Sequence, residues 1–202
     1  MLRRSTLPAA LALLLTLACA APAPAAVPVG QAAPGFSLTD LDGNTVSLAD
    51  QKGKVVVLEW INPNCPVSDR HAREATMTDL VARHGDVVWL AINSTSKASG
   101  EFVPPAEHKA WAAEHGIEYT ILYDESGDVG RAYGARTTPH MYIVDAAGKL
   151  AYNGAIDDDP PGRRAKAERN NFVHAGLTAH AAGQAIEPAT TKPYGCSVKY
   201  AR

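Results

Sequence analysis

The chain has 202 residues, with 19 Lys and Arg against 21 Asp and Glu and a formal charge of −2. That length fits one ordinary domain able to bury a full core, and the charge excludes a globally basic nucleic-acid binder. Hydrophobic residues at 46% and charged residues at 20% exclude global disorder.

Residues 1–26 read as a targeting segment. Arg3 and Arg4 open it and a Leu/Ala-rich core follows over 7–19. Ala-Cys-Ala at 18–20 and Ala-Pro-Ala at 23–25 then offer small-residue cleavage sites. This is the layout of a secretory signal peptide, which predicts a periplasmic or secreted protein. The core is too short to span a bilayer and no later stretch approaches about twenty apolar residues, so no membrane span is expected. The rival is a lipoprotein: Thr16-Leu17-Ala18-Cys19 resembles a lipobox, with Thr where Leu is usual. Cleavage takes Cys19 away. Two of the three cysteines then remain, Cys65 and Cys196, in a compartment that permits disulfides.

Residues 27–202 read as one domain of alternating strands and helices. Alternating apolar residues over 36–39 and 46–48 flank Asp42-Gly43-Asn44, which predicts an N-terminal hairpin. Residues 55–61 are apolar except Glu59, as in a strand covered on both faces. A Pro/Asn loop leads to a helix over 66–84, closed by Gly85. A second buried strand covers 87–92, a loop 93–103, and a helix begins at Pro104-Pro105 and ends near His115-Gly116. A short helix near 129–133 precedes a hairpin of strands at 140–144 and 150–152. An acidic loop over 157–162 is expected to be solvated beside Arg163 and Arg164. A last helix is expected over 165–182, then a polar, flexible tail over 183–202. A parallel start and an antiparallel finish make this an α/β protein with a mixed sheet flanked by helices.

The chemistry centres on Cys65. It follows a buried strand and immediately precedes a helix, with Pro66 in the first turn. A sulfur there faces unpaired N–H groups and the positive end of the helix dipole, which favours thiolate. Glu59 is a lone acid in an apolar strand. Burial would raise its pKa and suit it to act as a general base, whereas an edge position would simply solvate it.

The segment from Val55 to Ser68, with Asn62-Pro63-Asn64-Cys65-Pro66-Val67-Ser68 at its end, resembles the active-site strand and loop of the thioredoxin superfamily. Ala33-Pro34-Gly35-Phe36 and Asp42-Gly43 resemble the redoxin branch, which includes the peroxiredoxins of the alkyl hydroperoxide reductase/thiol-specific antioxidant type. The end Thr191-Lys192-Pro193-Tyr194-Gly195-Cys196 resembles the closing segment of exported redoxin-like proteins. The resemblance implies a thioredoxin-like fold. It implies that Cys65 is the nucleophile, Glu59 the buried acid, and Thr138-Pro139 the substrate-side cis-proline pair. Ser68 stands where a C-x-x-C motif has its second cysteine, and Leu58 and Asn62 replace the Pro and Thr/Ser of the peroxiredoxin motif. An arginine near the thiolate could come from Arg70, Arg131 or Arg136.

Cys196 lies far along the chain in the tail. It could resolve Cys65 during turnover, pin the tail in a static disulfide, or pair with another chain. The resulting expectation is an exported thiol oxidoreductase that acts on protein disulfides and is reset by a thiol donor, with no cofactor and no metal. Its alternatives are a thiol peroxidase and a non-catalytic copper carrier using Cys65 and His140. Most of the other histidines read as solvated helix residues.

Overall fold

The computed structural model describes residues 26–201. The expected signal peptide and Cys19 lie outside the described residues, except for Ala26. Among the described residues, nine strands and five α-helices follow in chain order. They are β1 (Ser37–Asp40), β2 (Thr45–Ser47), β3 (Val56–Trp60), α1 (Pro66–Arg73), α2 (Thr76–Arg83), β4 (Val88–Asn93), α3 (Pro105–Glu114) and β5 (Thr120–Tyr123). After them come α4 (Asp128–Tyr133), β6 (Thr137–Thr138), β7 (His140–Val144), β8 (Leu150–Gly154), α5 (Phe172–Ala181) and β9 (Cys196–Ser197).

Seven strands form one mixed sheet in the order β2-β1-β5-β4-β3-β7-β8. β3 runs parallel to β4 and β4 to β5, whereas β7 lies antiparallel to both β3 and β8. The apolar run read as a central strand is β3, buried along its whole length. Its side chains alternate between two cores. Val56, Leu58 and Trp60 enter one with Tyr133, Tyr142 and Leu150. There the ring of Trp60 packs 5.3 Å from that of Tyr133 and 5.1 Å from that of Tyr142. Val57 enters the other with Met77 and Leu80 of α2 and Val173 and Leu177 of α5. Each such buried aliphatic side chain contributes about 1.5–3 kcal/mol. This two-sided burial holds the end of β3, and the Cys65 loop after it, in a fixed place.

The structure alters the expected elements at several points. The helix over 66–84 is two helices, because Ala75 adopts a left-handed conformation (φ 52°) between α1 and α2. The helix over 165–182 begins only at Phe172. Asn171 caps it by accepting from the His174 N–H at 2.8 Å, and Arg169 before it is extended and paired with Glu74. A strand at Thr120–Tyr123 was not expected and joins β4 to β1. The acidic loop is solvated only in part: Asp158 is exposed and pairs with Arg164, whereas Asp157 and Asp159 are buried and face the Arg169 guanidinium. His71 and His108 are buried as well, each bonded to a hydroxyl. The tail is paired: β9 forms a small second sheet with β6.

Candidate functional site

Cys65 is the N-cap of α1, with Pro66 in the first turn. Its sulfur donates to the Thr138 carbonyl oxygen at 2.9 Å, a bond open only to the protonated thiol. The Thr138–Pro139 peptide is cis. Across the β6–β9 ladder, Thr138 pairs with Cys196 and Thr137 with Ser197. The two cysteines, read as a reactive thiol and a distant partner, are thus brought to one place, and both are free thiols.

Two electrostatic effects oppose each other at Cys65. Burial raises its pKa. Hydrogen bonds from the Cys196 thiol, the Thr138 side chain, the Ser68 N–H and the Cys196 N–H outweigh it and hold the thiol below the ordinary cysteine value. At Cys196 the balance is reversed. Burial and the hydrogen bond to Cys65 push it up to about 11, against a hydrogen bond from the Val67 N–H that favours its ionised form. Both sulfurs therefore rest on free N–H groups of the first turn of α1. Cys65 ionises first, and Cys196 remains the thiol that donates to it.

Only glycine fits at position 195. Its φ is +130°, and a Cβ there would lie 2.1 Å from the Thr138 carbonyl oxygen. The backbone of the tail thereby crosses directly over the bond that Cys65 makes.

Glu59 is buried on β3, and one of its oxygens accepts from Trp89 Nε1 at 2.9 Å and from the Tyr119 hydroxyl at 3.1 Å. Burial raises its pKa to about 7 against those two bonds. Of the two expectations for this residue, the buried one holds and the solvated one does not. Glu59 lines a cavity of about 10 Å³ together with Ser68 and His71, on the order of one water molecule. The Ser68 hydroxyl is buried without a partner.

Other residues considered from the sequence are spent elsewhere. The Asn62 side-chain nitrogen donates to Thr95 Oγ1 at 3.0 Å and to the Glu101 carbonyl at 3.2 Å, and its oxygen accepts from the Asn64 N–H. It shapes the loop. Leu58 is in the core. Arg70 bonds to the Asp159 carbonyl and to His71, and Arg131 to the Ser126 and Ala201 carbonyls. Arg136 is exposed. Among the described residues, no guanidinium hydrogen-bonds the Cys65 sulfur. His140 Nδ1 accepts from the Arg136 N–H at 3.2 Å, and Nε2 lies 2.8 Å from Asn153 Oδ1. Both nitrogens are therefore occupied, so the Cys65/His140 metal pair lacks a free imidazole nitrogen. Among the described residues no group of three or more His, Cys, Asp or Glu could hold a metal ion. No helix among them is long and apolar enough to cross a membrane.

Residues 29–153, well over half the chain, match the AhpC/TSA family. The chain belongs to that family. The match ends before the tail, so Cys196 lies outside it. The thiol-disulfide oxidoreductase ResA of Geobacillus thermodenitrificans is 30% identical over 125 residues, which span 62% of this chain and 68% of that protein. The chloroplastic peroxiredoxin Q of Populus jackii is 30% identical over 143 residues, 64% of this chain and 62% of that one. The crystal structure of an uncharacterized conserved protein from Geobacillus kaustophilus superposes with a TM-score of 0.76 at 32% identity. It covers 86% of this chain and 93% of its own. These matches bear out the thioredoxin-like fold and the redoxin/peroxiredoxin-like resemblance.

The sequence reading expected the unpaired helix N–H groups to face the Cys65 sulfur but left Tyr194 and Gly195 without a role. The sequence carried a partial signal for these two, since both stand in the segment just before Cys196.

Proposed function

We propose that this chain is an exported thiol oxidoreductase that acts on protein disulfides, with Cys65 as nucleophile and Cys196 as resolving cysteine. The observation that carries the reading is the placement of both free thiols at the N-terminus of α1, with the pKa of Cys65 lowered and that of Cys196 raised. The Cys65 thiolate attacks one sulfur of a substrate disulfide. A mixed disulfide forms, and the other substrate sulfur leaves as a thiolate that takes up a proton. The Cys65 negative charge is then gone, so Cys196 loses the repulsion that held its proton. It ionises and attacks the Cys65 sulfur, which releases the second substrate thiolate. The substrate gains two electrons and the protein retains a Cys65–Cys196 disulfide. A dithiol donor returns it to the reduced form.

Glu59 is the proton acceptor in this scheme. Its pKa of about 7 suits exchange near neutrality, and the cavity it shares with Ser68 offers its proton a route toward the α1 N-terminus. Thr138 and Pro139 shape the substrate side of the nucleophile. A disulfide substrate is favoured over a peroxide because the Asn62 amide is committed to Thr95 and Glu101 and, among the described residues, no guanidinium bonds the sulfur. The Arg-initiated, Leu/Ala-rich segment over 1–26 supports export to the periplasm or beyond.

Insulin reduction with dithiothreitol as donor, run beside hydrogen peroxide consumption, tests the reading. The wild type is expected to accelerate insulin reduction and Cys65→Ser to abolish the acceleration. Equal rates for the two proteins in both assays would overturn it.

A further inference from the structure

We propose that residues 192–197 form a strap that closes over Cys65, and that Tyr194 is the positioning residue that holds it shut. The proposal rests on the reading of Cys65 as the nucleophile and adds how access to it is regulated.

The first observation is that Cys65 is 0% exposed. A nucleophile with no accessible surface cannot meet a protein disulfide without a movement. The cover comes from the tail. Gly195 lies against the Thr138 carbonyl, and the thiol and N–H of Cys196 both reach the Cys65 sulfur. β9 also occupies the hydrogen-bonding edge of β6. An extended substrate segment approaching this edge must displace β9, because one edge pairs with one strand.

The second observation is how the strap is fastened. Upstream, the Thr191 N–H donates to the Asn153 carbonyl at 3.1 Å, and Thr191 Oγ1 accepts from the Ala155 N–H at 2.8 Å. Downstream, the Val198 N–H donates to the Arg136 carbonyl, and the Tyr200 hydroxyl donates to the Ala135 carbonyl at 2.7 Å. Tyr200 lies so close to Gly130 that a Cβ there would be 2.4 Å from its hydroxyl. These ends are firm anchors. Between them, Lys192 and Ser197 are exposed and Pro193 has no N–H to donate. Apart from the short β6–β9 ladder and the Cys196 contacts, the fastening there is Tyr194. Its hydroxyl donates to Asp157 Oδ1, accepts from the Arg70 guanidinium and lies 3.2 Å from His71 Nε2. Arg70 and His71 belong to α1, the helix whose first turn carries Cys65. One hydroxyl thus ties the strap to the nucleophile's own helix and to the buried carboxylate after β8. A strap with two firm ends and one side-chain latch between them can lift locally while the sheet stays folded.

The test is the alkylation rate of Cys65 in the reduced full-length protein, read by peptide mass mapping. Iodoacetamide serves as the small probe and a polyethylene glycol maleimide as the bulky one. The wild type is expected to react slowly with both, and more slowly with the bulky probe relative to a free cysteine. In Tyr194→Phe, which keeps the ring and removes the hydroxyl, the bulky-probe rate is expected to rise by about tenfold. The pH profile, taken from about pH 5 to 9, is expected to move to a higher Cys65 pKa in the same variant, because opening withdraws the Cys196 donors. Amide hydrogen exchange separates the two: a lifted strap speeds exchange over 192–197 alone, whereas a general loosening of the fold also speeds it in β3 and β7. Gly195→Ala opens the strap without touching the polar cluster and carries the test alone should Tyr194→Phe not fold. Unchanged rates in a folded variant, or a wild-type rate equal to that of a free cysteine, would overturn the strap. Alkylation reads access whether or not the protein turns over. Inactivity toward insulin with a gated Cys65 would therefore count against the proposed function alone.

Discussion

The sulfur of Cys65 lies 2.9 Å from the carbonyl oxygen of Thr138, and Thr138 is the residue that pairs with Cys196 in the β6–β9 ladder. One residue therefore touches the Cys65 sulfur and sets the position of Cys196. Ser68 stands at the second position of a C-x-x-C pattern, and a thiol from the far end of the chain lies beside Cys65 instead.

This arrangement predicts which variant traps a substrate. With Cys196→Ser the mixed disulfide at Cys65 has no resolving thiol, so covalent complexes with substrate proteins accumulate on non-reducing gels. With Cys65→Ser none form, and thiol turnover falls by about a thousandfold or more. Equal trapping by both variants would contradict the order of attack.

Ser68→Cys is expected to divert the chemistry. The Ser68 hydroxyl has no partner and its N–H bonds the Cys65 sulfur, so a thiol there breaks no hydrogen bond and sits beside the nucleophile. Mass mapping after mild oxidation is expected to show a 65–68 disulfide at the expense of the 65–196 one. An unchanged 65–196 disulfide would show that the tail thiol outcompetes the neighbour.

Glu59 predicts a pH dependence with a definite sign. Its pKa is raised from 4.5 to about 7 in the folded protein, so the fold favours the protonated carboxyl. Its contribution is full below pH 4.5 and is lost as pH rises toward 7. That change amounts to about 3 kcal/mol. Glu59→Gln is expected to flatten this part of the stability curve. It is also expected to slow insulin reduction most at the neutral pH where Glu59 exchanges protons. Urea midpoints and rates measured across that range check both.

Three buried histidines act in the opposite direction. Burial lowers the pKa of His71 to about 3 and those of His108 and His140 to about 4. Each lies below the unfolded value of 6.5, so the stability these neutral rings contribute is present above pH 6.5 and is lost as pH falls toward 4. The urea midpoint is expected to fall steeply over that interval. A flat midpoint between pH 6.5 and 5 would contradict the assigned burial, with 6.5 the ordinary histidine value.

Much of this was legible in the chain. The apolar run of β3, the Cys-Pro start of α1 and the turn at Asp42-Gly43 are local signals, and each stands where the sequence placed it. β5 also had a local signal, since Thr120-Ile121-Leu122-Tyr123 is rich in β-formers. What escaped was long-range. β9 has two residues, and its pairing depends on a partner about sixty positions earlier. The burial of His71 is set by Arg70 beside it and by Tyr194, which arrives from the tail. The burial of Asp157 and Asp159 is set by Arg169, which the sequence reading placed inside a helix. The break at Ala75 has no residue-type signal, because alanine ordinarily continues a helix.

The most direct test of the account is disulfide mapping of the mature protein after one equivalent of a two-electron oxidant such as diamide. The account predicts a single intramolecular disulfide between Cys65 and Cys196 in the monomer, returned to two thiols by dithiothreitol. Two unlinked cysteines, or a disulfide only between chains, would contradict it.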